Sequence, residues 1–452
     1  MKILLEGDRN ILKLLCKHID KTCNYVPSKY LICLEVDEGV LLGNTLTGEL
    51  VLLSQVEKEY FDRIPQCYKD EFKDLIVHHF LVPELCDEFN IVNQLRSILL
   101  TKKKNEDTIN HYNILPTTAC NARCFYCYQS GTMQVSMDKE VADSLVEFIA
   151  SHNNNKKVIL SWFGGEPTLG CNRIDQICRK LDLYGVQFES DMISNGYLFD
   201  EKLVKKAKDI WKLMSIQITL DGSEQKYIET KQYIGVQENP YKRVLRNVDL
   251  LLDADIEVRL RLNIDAHNSK DILVLIDELV SRFNGRKKLH VYVWKLDEGK
   301  GYSPIHHTET EREELDLEFE RIQGVLESRG WPQIWNPRFP MLTLRSCMAD
   351  DSSFIQCAPN GVLSKCEDKI FEHTVGNIKD GIINKEGIDW WSERVFFEEC
   401  RSCPLFPSCN RLLKNCPTKK AGCTSKYKAR KIEEYHKLIN NVYKKLKDTG
   451  KI

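Results

Sequence analysis

The sequence predicts an α/β protein whose central part is a run of parallel strand–helix units. Three observations predict it. Between Tyr112 and Trp294 strand-like and helix-like runs alternate six times, the pattern of parallel βα units in a barrel or an open sheet. Ahead of that stretch, short β-rich runs are followed by helical patterns, as in a small α+β module. Behind it, the last quarter of the chain is crowded with cysteine. The segments expected are 1–105, 106–300, a bridge at 301–340, and 341–452.

In the first segment Ser28 to Glu35 and Val40 to Leu42 read as strands around the Asp37–Glu38–Gly39 turn, and Leu50 to Leu53 as a third. Helical patterns follow at 54–64 and 68–80, and the polar stretch Thr101 to Thr108 reads as a linker. Central strands are expected at 112–116, 158–162, 188–194, 215–220, 257–264 and 289–294. The helices between them fall at 136–150, 171–183, 201–212, 241–254 and 269–282. Ser136 is placed to cap the first, with Asp138 and Glu140 in its first turn. In such folds chemistry sits where strands end and loops begin. The knot Cys120, Cys124, Cys127 and the run Gly164–Gly165–Glu166–Pro167 both fall there, after the first and second strands. A charged helix at 308–328 and a connector with Trp331 and Trp335 make the bridge, and a charged helix near 424–447 follows the cysteines.

Composition narrows the class. The chain has 452 residues, 42% apolar and 29% charged, enough to bury a sizeable core. A net charge of -2 gives no field favouring nucleic acid or an anionic membrane. No apolar run approaches the ~18 residues of a membrane span, and Glu6 interrupts the apolar N-terminus before it could act as a secretory signal. A cytoplasmic protein without nucleic-acid or membrane partners is therefore expected. There are 18 cysteines, and in a reducing compartment such clustering argues for metal rather than disulfides. Cys16, Cys23, Cys33, Cys67, Cys86, Cys171 and Cys178 are scattered and read as ordinary core or surface residues.

CNARCFYC (120–127) places three thiolates at CxxxCxxC spacing. Three ligands are one short of a closed zinc site or a fully ligated cubane. A cluster so held leaves one iron free to chelate the amino and carboxylate groups of S-adenosylmethionine. A structural zinc is the plainer alternative. With WFGGEP (162–167), ISNG (193–196) and ITLDG (218–222) following in order, the chain resembles the radical S-adenosylmethionine superfamily over about 110–425. The resemblance implies a partial (β/α)6 TIM barrel that binds S-adenosylmethionine. Tyr126, Gly164, Gly165, Glu166, Asn195 and Thr219 stand where that family contacts the cofactor. For the methionine carboxylate, where relatives often carry Arg, this chain offers Lys231, with Arg261 on the fifth strand as the competing candidate.

Cys347, Gly361-x4-Cys366, Cys400-x2-Cys403-x5-Cys409, Cys416–Pro417 and Cys423 resemble the family's SPASM extension, with a loop before Cys416 three residues longer than usual. The resemblance implies three 4Fe-4S clusters: one on the first knot and two auxiliary ones. Cys347, Cys366 and Cys416 would hold auxiliary cluster one, completed by Cys357 or left with an open iron. Cys400, Cys403, Cys409 and Cys423 would hold auxiliary cluster two. A zinc ribbon on Cys400, Cys403, Cys409 and Cys416 is the simpler alternative. Glu367 follows Cys366 where a sulfatase-maturing relative has an acidic proton acceptor; otherwise it is a solvated acid in a turn.

The first segment, through GNTLTGELVLL (43–53), resembles the winged-helix peptide-leader recognition domain of maturases of ribosomally made peptides, which holds the leader as an added strand. A generic α+β cap over the barrel is the alternative. The activity implied is reductive cleavage of S-adenosylmethionine to a 5'-deoxyadenosyl radical, hydrogen abstraction from a precursor peptide and closure of a thioether or carbon–carbon crosslink. A one-electron reductant such as flavodoxin or ferredoxin would be needed. The rival enzymatic reading is sulfatase maturation to formylglycine. The rival from another class is a non-catalytic zinc or iron–sulfur protein.

Overall fold

The computed structural model describes residues 1–15, 19–63, 66–67, 69–104, 108–296, 306–333, 339–416 and 423–450. Cys16, Trp335, Pro417, part of the 101–108 linker and the expected boundaries at 105/106 and 300/301 lie outside those residues. The chain divides into two compact units, one of 107–335 with 348–391 and the other of 1–106 with 336–347 and 392–452.

In the first of these units six parallel strands lie side by side in sequence order: His111–Thr117, Val158–Gly164, Phe188–Ser194, Leu213–Leu220, Glu257–Ile264 and Leu289–Lys295. Alternating apolar residues create them. Val158, Leu160 and Trp162, then Ile216, Ile218 and Leu220, then Val258, Leu260 and Leu262 are all fully buried. Helix residues such as Leu145, Ile177, Val248 and Ile276 complete the same core. Each such side chain contributes ~1.5–3 kcal/mol by leaving water. A seventh strand, Phe354–Cys357, joins the first in parallel and leads through Val362–Ser364 into two short antiparallel strands.

Two local details differ from expectation. The helix after the first strand is Lys139–His152, capped by Asp138, whose carboxylate accepts from the Val141 N–H at 2.7 Å. Ser136 bridges Thr117 instead, hydroxyl to hydroxyl at 2.8 Å. The helix Glu201–Asp209 ends early because Lys212 takes a left-handed conformation (φ 50°) to enter the fourth strand at Leu213. The charged helix of the bridge is Glu309–Ser328, started by a Thr308–Glu311 capping box.

The other unit holds more β-structure than three strands. An antiparallel sheet runs Lys2–Leu5, Glu49–Ser54, Gly39–Asn44, Leu31–Val36, and a second small sheet pairs Asn24–Pro27 with Gln66–Cys67 and Leu81–Pro83. An unanticipated helix, Glu88–Lys104, and the expected one, Ser425–Asp448, belong to the same unit. The two ends of the chain share cores here. Ile32, Leu41 and Leu50 pack with Phe339, Tyr435 and Ile439, while Tyr30, Leu46 and Val92 pack with Phe406 and Leu412. Gly43 makes room for this contact, since a Cβ there would lie 2.3 Å from the Phe339 ring. Residues 1–106, 336–347 and 392–452 therefore make one compact unit, while 348–391 belong to the unit of the parallel sheet. No helix among the described residues is long and apolar enough to cross a membrane.

Candidate functional site

The loop after the first parallel strand carries the cysteine knot, and the loop after the second closes on it. Gly164 sits at φ 120°, and a Cβ there would lie 2.3 Å from the Thr117 carbonyl oxygen. At Gly165 a Cβ would meet the Ala119 carbonyl oxygen at 2.2 Å. Only glycine allows that approach. It lets the Gly165 N–H donate to Thr117 O at 3.1 Å and the Glu166 N–H to Ala119 O at 2.9 Å. Cys120, Cys124 and Cys127 line a cavity of about 230 Å³ and a neighbouring one of about 350 Å³. Burial, reinforced by the Glu166 charge, pushes the Cys120 thiol up to about 12, and burial raises Cys124 as well. Any metal group taking these sulfurs as thiolates would release protons on binding.

The smaller cavity gathers most of the residues singled out from sequence. Tyr126, Gly164, Gly165 and Asn195 line it together with Thr219, Lys231 and Arg261. Glu166 is the exception. It is fully buried, and its carboxylate accepts from the Ser194 hydroxyl (2.8 Å), the Asn195 N–H (2.7 Å) and the Thr168 N–H (3.1 Å). It braces the second-strand loop against the third strand and does not line the cavity. Glu367 does line it, beside Cys127 and Tyr128.

Lys231 is not a free cation awaiting a carboxylate. It is 2% exposed, ends the helix Glu224–Lys231, and pairs at 3.0 Å with Asp221, also 2% exposed. Its ammonium donates to the Tyr126 hydroxyl at 2.7 Å and to the Thr219 hydroxyl at 2.6 Å. Tyr126 in turn donates to Asp221 at 2.9 Å, and Asn263 donates to both Tyr126 (3.1 Å) and Asp221 (3.0 Å). Burial works against the ammonium charge, but Asp221, Tyr126, Cys124 and Tyr227 together outweigh it and hold Lys231 well above its usual range. Two backbone bonds, Arg123 N–H to Lys231 O and Ile234 N–H to Asn121 O, both 2.8 Å, tie this helix to the cysteine loop. The network fixes the knot from the fourth and fifth strands. Arg261 donates from Nε to Asn263 at 2.9 Å and stacks over Trp294, so of the two cations it is the one without a buried carboxylate partner among the described residues. Replacing Lys231 with Met should destabilise this unit by ~3–5 kcal/mol, because Asp221 is left buried and unpaired. Adding Asp221→Leu should recover much of that loss in chemical denaturation; no recovery would refute the pairing argument.

The cysteines of the last quarter divide. Cys400, Cys403, Cys409 and Cys423 line one cavity of about 850 Å³, together with Arg411, Tyr427 and Lys428. A tetrahedral zinc draws its sulfurs to ~2.3 Å of one point. Among the described residues no three His, Cys, Asp or Glu are grouped to hold a metal ion. Cys347 and Cys416 lie in the unit containing this cavity, and Cys366 lies in the unit with the parallel sheet, half-buried. Cys357 is wholly buried among the apolar core residues of that sheet, where burial pushes its thiol up to about 12. It lines neither of the cavities at the knot.

Comparison with known proteins accords with this geometry. Residues 114–279 match the model of the Radical SAM superfamily. No curated protein matches the chain. Among solved structures it is similar to anSMEcpe with bound AdoMet (16% identity, TM-score 0.56, covering 74% of this chain and 99% of that one). It is also similar to Streptococcus suis SuiB bound to S-adenosylmethionine (14% identity, TM-score 0.51, covering 85% and 94%). SuiB bound to its precursor peptide SuiA matches at 14% identity and a TM-score of 0.51, covering 88% of this chain and 99% of that one. At these identities the likeness is one of fold.

Proposed function

We propose that the chain is a radical S-adenosylmethionine maturase that crosslinks a ribosomally made peptide. The observation that carries this reading is the cavity in which three cysteines, a glycine pair, Thr219 and Arg261 face one another at the ends of parallel strands. When bound, an iron–sulfur cluster at the knot supplies the electron that splits S-adenosylmethionine into methionine and a 5'-deoxyadenosyl radical, and one at the Cys400 set supplies an electron acceptor. The protein's own part is placement. Gly164 and Gly165 leave backbone close to the cofactor, Thr219 offers a hydroxyl, and Arg261 offers a bidentate fork for the methionine carboxylate. The Lys231–Asp221 network holds Tyr126, and with it the knot, in position. Crosslinking removes two hydrogens from the peptide: one leaves as an atom to the deoxyadenosyl carbon, the other as a proton, with one electron left over for the acceptor.

Support for a peptide substrate comes from the fold shared with SuiB, whose structure was solved with its precursor peptide. The sheet of the N-terminal residues has two edges, Lys2–Leu5 and Leu31–Val36, on which a leader could add as a strand. A second reading, formylglycine formation on a sulfatase, is favoured by one observation: Glu367 lines the cavity at the knot, where its carboxylate could take a proton from the substrate.

Anaerobically reconstituted enzyme with dithionite and S-adenosylmethionine should form 5'-deoxyadenosine, and with its peptide a product two hydrogens lighter. Cys403→Ala should leave that cleavage within about twofold yet abolish the peptide product, because the second cysteine site is separate from the knot. Zinc co-purifying in proportion to Cys400, Cys403, Cys409 and Cys416, with full peptide turnover, would refute the auxiliary-cluster reading. An oxygenated, formylglycine-bearing sulfatase peptide as sole product would favour the second.

A further inference from the structure

The helix Glu88–Lys104 carries a buried cation for which the proposed chemistry has no role so far. Arg96 is 3% exposed. Its Nη2 donates to the carbonyls of Phe406 (2.8 Å) and Pro407 (2.9 Å), and its Nε to that of Thr343 (3.2 Å). Phe406 is held from two directions, stacked on Phe89 at 4.7 Å and covered by the Arg96 guanidinium at 4.8 Å. Phe406 and Pro407 lie in the loop between Cys403 and Cys409, so a helix from the start of the chain fixes that loop by its backbone. Such second contacts orient a metal site and tune it.

The charge of Arg96 is a separate matter. Its hydrogen bonds go to neutral carbonyls, and its Nη1 is buried with no hydrogen-bond partner among the described residues. A buried guanidinium without a counter-charge is expensive. Among the described residues no carboxylate pairs with it, and Cys400, Cys403 and Cys409 pack against the same core as the Phe406 ring that it covers. A cluster on these sulfurs would provide the missing negative charge.

Resting on the reading that Cys400, Cys403, Cys409 and Cys423 hold a cluster, we infer that Arg96 is the positioning residue and buried counter-charge of that site, and that it raises the cluster's reduction potential. Each electron added makes the cluster more negative, so a fixed cation beside it favours the reduced form. An electron acceptor is improved in just this sense.

The test is a redox titration of the reconstituted full chain, followed by electron paramagnetic resonance. Arg96→Gln should shift one auxiliary cluster to a more negative midpoint and leave the knot's cluster, and its response to S-adenosylmethionine, unchanged. Arg96→Lys keeps the charge and should stay close to the parent. An unmoved midpoint in Arg96→Gln, or equal shifts in both variants, overturns the inference. If Arg96→Gln loses that cluster's iron, iron retained in Arg96→Lys upholds the charge role, and iron lost from both overturns it. A parent with no redox-active cluster on the Cys400 set refutes the reading beneath the inference, an outcome distinct from all of these.

Discussion

Changing Cys120, Cys124 and Cys127 together to Ala should abolish formation of 5'-deoxyadenosine and remove about four irons per chain. The three sulfurs line the cavity at the ends of the parallel strands, and no other cysteine lines it. The expected loss is total rather than graded, since two remaining thiols would hold a cluster poorly and none would hold it at all. The fold should survive. Each substitution removes one small, partly buried side chain, while the loop stays anchored through Gly165, Glu166 and Lys231 by backbone bonds. Iron at the Cys400 set, in the other compact unit, gives an internal control. Reductive cleavage persisting in a folded triple variant would sink the assignment.

The parallel sheet was legible because its strands obey simple alternation: Phe188–Ser194 and Glu257–Ile264 coincide with the expected ranges, each with buried residues at every second position over much of its length. The knot and glycine pair were legible because few side-chain types can do their work. What escaped had weaker local signals. Helix Glu224–Lys231 has few apolar residues to mark a period, yet it carries Lys231 into its pairing with Asp221. Asp221 itself stood in view, two residues beyond Thr219, but an acid after a strand is ordinary until a buried cation is found opposite it. The hydrogen bonds of Glu166 were not legible from its motif, because Ser194 and Asn195, which claim its oxygens, come from the end of the third strand. The partners of Arg96 lie 247 (Thr343) to 311 (Pro407) residues away, which no local pattern reveals.

Deleting residues 1–105 should destroy the Cys400 site and leave an aggregating protein, not a clean enzyme lacking a leader-binding arm. Read as separable segments, the sequence invites that deletion as the test of leader recognition. The cores argue against it. Tyr30, Leu46, Val92 and Leu95 cover Phe406 and Leu412, and Ile32, Leu41 and Leu50 cover Phe339, Tyr435 and Ile439. Uncovering even the five side chains named here, at ~1.5–3 kcal/mol for each large apolar side chain, costs as much as the ~5–15 kcal/mol that a domain has in hand. Removing Arg96 and Phe89 also releases the loop between Cys403 and Cys409. The truncated chain, made and reconstituted like the parent, should therefore lack the iron of that set and elute as aggregate on size exclusion. Should it instead stay monomeric, bind that iron and melt as the parent does, residues 1–106 would be an independent module after all. Leader binding would then be open to test by deletion; otherwise it has to be tested on the intact chain, by comparing KM for full precursor and for leaderless peptide, where tethering predicts a large rise in KM with little change in kcat.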